Sequence, residues 1–103
     1  MYKLCFFVPE DHLEAVKDAI FEAGAGRIGD YDRCCWQTAG QGQFRPLAGA
    51  SPFVGQHETL ARVTEFKVEL VCDEAHIRSA VAALKLAHPF EEPAYDVILL
   101  SDF

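Results

Sequence analysis

The opening run Tyr2-Lys3-Leu4-Cys5-Phe6-Phe7-Val8 is almost wholly apolar and rich in strand formers. A period of two puts Leu4, Phe6 and Val8 on one face and Cys5 and Phe7 on the other. Both faces are apolar, so the strand is expected to be central, or to have its second face covered by a partner. Pro9 stops the run, and Glu10 and Asp11 place negative charge at the start of a helix. Leu13, Val16, Ile20 and Ala23 then recur at helical spacing, with Glu14, Lys17, Asp18 and Glu22 outside and Gly24 and Gly26 ending the element. A second strand is expected over residues 33–38, with Cys34, Trp36 and Thr38 on one side.

From Ala39 to about Gly55 the glycines and prolines read as one long connection, a length usually reserved for functional or mobile loops. Phe44, Leu47, Phe53 and Val54 lie inside it and call for something to pack on, here a neighbouring subunit. Phe66, Val68, Leu70 and Cys72 alternate with Glu65, Lys67, Glu69 and Val71, a strand with one wet face. Asp73 is a good N-cap for a second helix with Ile77, Ala80, Val81 and Leu84 as its stripe; Pro89 closes that helix, and a last strand runs from Ala94 to about Leu100.

The order is therefore βαβ followed by βαβ in one domain over residues 1–103. His12-Leu13, Val16, Ala19 and Ile20 match His76-Ile77, Ala80, Ala83 and Leu84 at a constant offset. Two such units most economically build an α+β, ferredoxin-like βαββαβ sandwich: a four-stranded antiparallel sheet with both helices on one face. The other face is then open, and homo-oligomerisation is the simplest way to cover Cys5 and Phe7.

Charge and composition narrow the function. The net charge of −7 and the lack of any Lys/Arg cluster argue against nucleic acid as a partner. No apolar run approaches the ~18 residues of a membrane span. Met1-Tyr2-Lys3-Leu4 does not open a signal peptide, so a cytoplasmic location is expected. Cys5, Cys34, Cys35 and Cys72 contain no C-x-x-C pair and read as free thiols.

Gly24-Ala25-Gly26-Arg27-Ile28-Gly29 fits G-x-G-x-x-G, but it follows a helix and precedes a strand, the inverse of a dinucleotide-binding context. Its glycines serve as a helix stop and tight turn. The stretch His88-Pro89-Phe90-Glu91-Glu92-Pro93-Ala94-Tyr95-Asp96 brings an imidazole and two carboxylates together on a proline-pinned link. His88, Glu91 and Glu92 are candidate ligands for a divalent metal ion, with His57 or another subunit completing the set; the competing reading has His88 capping the helix and the acids solvated. No nucleophile-elbow sequence or readable nucleophile–base pair points to an enzyme.

Four stretches resemble the bacterial NIF3-like (YqfO, DUF34) proteins: residues 21–31, Gly42-Gln43-Phe44-Arg45-Pro46-Leu47, Pro52-Phe53-Val54-Gly55, and residues 88–96. They resemble one part of that family, a domain inserted in a larger metal-binding core, here looking like the insert existing alone. The core's metal-ligand motifs are absent, so its dinuclear site and GTP cyclohydrolase label do not carry over. The resemblance implies a PII/CutA-like fold, commonly trimeric, with a dimer as the other option. It also implies a sensing role for the connection between the second and third strands, toward a small ligand or a protein partner. On that basis the expected ligand-binding residues of an intersubunit cleft are Arg27, Phe44, Arg45, His88, Glu91, Glu92 and Tyr95, the two arginines offering charge-assisted bonds to an anion.

Overall fold

The computed structural model describes all residues 1–103. Strand β1 spans Tyr2–Pro9 and leads through a 3₁₀ turn at Glu10–His12 into helix α1, Leu13–Glu22. Strands β2, Trp36–Phe44, and β3, Ala61–Cys72, follow. Helix α2, Ile77–Ala87, and strand β4, Tyr95–Leu99, complete the chain. The four strands form one sheet in the order β2-β3-β1-β4, every neighbouring pair antiparallel. This is the ferredoxin-like order expected for two interlocked βαβ units.

Register explains where the core sits. Leu4 faces Leu70, Phe6 faces Val68 and Val8 faces Phe66, so the apolar sets of β1 and β3 share one face. Leu13, Val16 and Ile20 of α1 and Ile77, Ala80 and Leu84 of α2 close over that face in a single cluster. Phe6, Leu4, Val8, Val16, Ile20 and Leu84 are all fully buried. The internal repeat is visible in three dimensions: each helix begins immediately after its histidine, His12 or His76, and the two helices pack against each other. The Asp73 carboxylate accepts the His76 N–H at 3.0 Å in the turn that leads into α2, whose N-cap position is His76 and not the expected Asp73.

Two boundaries differ from the sequence expectation. Strand β2 is displaced along the chain, running to Phe44 instead of ending at Thr38, and β3 begins at Ala61, so the connection shrinks to residues 45–60. Ala39, Gly40 and Gly42 are poor strand formers, but nine consecutive pairings with β3, from Trp36↔Glu69 to Phe44↔Ala61, override that propensity. The distal end of this ribbon outruns the helices, leaving Gln41, Gln43, Arg62 and Thr64 exposed on what would be the core side. The molecule is accordingly elongated, 46 × 24 × 24 Å.

The glycine motif is a turn. Gly24, Gly26 and Gly29 have φ of 104°, 80° and 56°, all left-handed. A Cβ at Gly24 would also overlap the His76 ring. The Gly26 N–H donates to the Val71 carbonyl at 2.8 Å, tying the end of α1 to β3.

Candidate functional site

The sheet's open face carries Lys3, Cys5 and Phe7 from β1, Glu65, Lys67, Glu69 and Val71 from β3, and Thr38, Gly40, Gly42 and Phe44 from β2. Cys5 needs no partner to be covered: it is only 6% exposed, ringed by Lys3, Lys67, Glu69 and Asp96. Burial pushes its thiol above the ordinary value and keeps it protonated. Lys3 and Glu69 pair at 2.8 Å. Their hydrogen bond raises the lysine and lowers the carboxyl in pKa.

Over one part of this face the chain builds a cleft of about 810 Å³. Its floor is the sheet, with Phe7, Glu65, Lys67 and Glu69, and its walls are the 45–60 connection and the link between α2 and β4. The two walls hold each other. The Glu91 carboxylate accepts the Ser51 backbone N–H at 2.8 Å. Phe90 packs against Phe44 and Phe53, with ring centroids 6.0 Å and 6.4 Å apart, and His12 meets Phe53 edge-on at 5.4 Å. Of the apolar residues expected to need cover, Phe44 and Phe53 find rings of their own chain, while Leu47, Phe53 and Val54 stay exposed.

His88 anchors the second wall. It is buried, its Nε2–H donates to the Phe7 carbonyl at 2.7 Å, and its Nδ1 accepts the Phe90 N–H at 3.1 Å. These two bonds select one neutral tautomer. Burial lowers the His88 pKa against the opposing effect of the Phe7 carbonyl, and nearby His12 lowers it further. His88 also sits extended just before Pro89, as the proline ring requires, and so ends α2.

The expected site residues separate. Phe44, Glu91 and Glu92 line the cleft. Arg27 is exposed beside Asp73, past the Cys72 end of β3, and Arg45 points out of the connection; neither lines the cleft. Tyr95 lies opposite Phe6 on the core face, packed against the core with Lys85 Nζ 5.5 Å from its ring centre. His57 bonds the Ala50 carbonyl through Nε2 at 2.6 Å. His88, Glu91, Glu92 and His57 do not converge, and no three His, Cys, Asp or Glu side chains gather around a common point. The imidazole's nitrogens are already spent within the fold.

Sequence reasoning missed Phe7, Glu65 and Lys67 as site residues, while Phe53 and Phe90 lie in the two stretches it set around the cleft without being singled out. Glu65 and Lys67 read as the solvated side of β3, because the true extent of β2 was hidden by its glycines. Glu65 is half-buried, and burial raises its carboxyl pKa with no charged neighbour offsetting the effect. Its side chain lies across Gly42, where any Cβ would overlap the carboxylate.

The fold places the chain among ferredoxin-like sandwiches of the CutA kind. The solved CutA described as a periplasmic divalent cation tolerance protein from Archaeoglobus fulgidus matches all of this chain and 87% of its own, with a TM-score of 0.69 at 13% identity. That likeness establishes the fold alone. A Bacillus cereus protein related to NIF3 superimposes over 98% of this chain with a TM-score of 0.83 and 38% identity. A Mycobacterium tuberculosis protein named GTP cyclohydrolase 1 type 2 homolog is 48% identical over 98 residues, 95% of this chain. The chain is thus homologous to one domain of the NIF3-related proteins, and it spans about a quarter of the length of these longer relatives. No protein-family model matches it.

Proposed function

We propose that this domain is a non-enzymatic, homo-oligomeric binding or regulatory module, folded as one unit over residues 1–103 and acting in the cytoplasm. Its cleft takes a small ligand or a segment of a protein partner where subunits meet, a trimer being the favoured assembly and a dimer the other. The cleft itself carries this reading: a volume of about 810 Å³ is of the size that holds a small molecule. Its lining mixes aromatic rings with a few charged groups and contains no histidine or cysteine. Exposed Trp36, Leu47, Ile98 and Leu99 supply apolar surface for contacts between copies. No helix is long and apolar enough to cross a membrane.

A second reading keeps His88, Glu91 and Glu92 as ligands for a divalent ion, supported by their shared turn and by the cation-tolerance description of the A. fulgidus CutA. It requires His88 to release a hydrogen bond and a neighbouring copy to complete the set. Native mass spectrometry with and without zinc separates the two. A metal-free oligomer, retained when residues 47–58 are replaced by a short turn that abolishes ligand binding, supports the module. Whole-number zinc lost on His88→Ala selects the metal site, and a monomer overturns the shared cleft.

A further inference from the structure

Of the two charge signs that the sequence suggested for the cleft, the structure keeps the acidic side chains and moves the arginines out. With Arg27 and Arg45 outside, Lys67 is the single basic residue of the lining, against Glu65, Glu69, Glu91 and Glu92. Lys67 lies on the same sheet face as Glu69, two positions away, and its field acts on that carboxylate. Glu69 is committed to Lys3 and Glu91 to the Ser51 N–H. Glu65 has no such commitment, and Gly42 leaves the space in which its carboxylate lies. Beside it, Phe44, Phe90 and Phe53 form a continuous wall of rings, and Phe7 contributes to the floor.

A carboxylate without a partner in a partly desolvated, ring-lined recess is the combination that attracts organic cations. Ring faces are electronegative, and the carboxylate supplies full charge. Resting on the reading of the cleft as a ligand site, we propose that it binds a small organic cation with an apolar body. The ammonium or similar group sits at Glu65, and the body lies against Phe44, Phe53 and Phe90. Glu92 at the rim adds attraction for the approaching cation.

The test uses benzyltrimethylammonium and phenylacetate, probes of similar shape and opposite charge, titrated into the intact protein and followed by amide NMR shifts at Phe7, Glu65 and Phe90. The cation is expected to bind saturably and the anion not. Glu65→Gln, nearly isosteric, should weaken the cation about tenfold or more, the loss of one partly desolvated charge. Lys67→Gln should tighten it, a gain that impaired folding cannot mimic. Equal or tighter binding of phenylacetate, or an unchanged affinity in Glu65→Gln, overturns the cation assignment while leaving a ligand cleft in place. Failure of both probes to bind the wild-type protein removes the cation assignment and the ligand cleft together.

Discussion

The two faces of one sheet follow different rules. On the helix side, Leu4, Phe6, Val8, Val68 and Leu70 are sealed by α1 and α2, and every apolar side chain contributes by being dry. On the open side the same two strands present Phe7, Glu65, Lys67 and Glu69, and the cover is a strap and a turn held by rings and one carboxylate. Adjacent residues of β1, Phe6 and Phe7, therefore do unlike work. Stability resides on one face, and the proposed recognition belongs to the other.

Substitutions sharpen that contrast. Phe6→Ala should cost about 3–5 kcal/mol in denaturant unfolding, because a fully buried ring leaves a cavity. His88→Ala should cost about 1–3 kcal/mol at pH 8 by stranding the Phe7 carbonyl, less than the core ring and more than any cleft residue.

The same histidine gives a pH signature. Its folded pKa is below the ordinary 6.5, so the unfolded chain takes up the proton first. Its contribution is intact above 6.5 and is lost as pH falls from there through the folded value. Urea midpoints compared between wild type and His88→Ala should converge over that window; a constant gap would break the assignment. Phe7→Ala should cost about 1–2 kcal/mol, less than Phe6→Ala because its ring is not fully buried, yet weaken ligand binding several-fold. Arg45→Gln, outside the cleft, should leave both stability and ligand affinity unchanged.

Much of this fold was legible because its signals are local and agree. The period-two pattern of β1 and the 3.6-period stripes of α1 and α2 each named their buried faces, and Asp73 and Pro89 bracketed α2. The strand Trp36–Phe44 was not legible past Thr38. Its glycines oppose strand formation locally, and its order comes from pairing with β3, a non-local contact. The site suffered from the same cause. Phe44, Glu91 and Glu92 were found because they sit in distinctive stretches, whereas Glu65 acquires its meaning only from Gly42 on the facing strand. Arg27 and Arg45 have the chemistry of an anion site, but the turns that carry them put them outside the cleft. His88 was distinctive for a structural reason: it ends a helix and bonds β1.

The way the strap is fastened sets its kinetics. Residues 45–60 have few backbone bonds of their own, Ala50 to Leu47, Glu58 to Pro46 and Thr59 to Gln56, and reach the opposite wall through the Phe53–Phe90 contact and the Glu91–Ser51 bond. Opening this segment breaks none of the strand-to-strand ladder, so it costs far less than unfolding the sheet. Amide protons of the strap should exchange with solvent orders of magnitude faster than those of Phe6 or Val68. A guest in the cleft should slow them selectively. Under the proposed function the strap would act as a latch with its own clock, and the stay of a bound guest would follow its opening and not the durability of the fold.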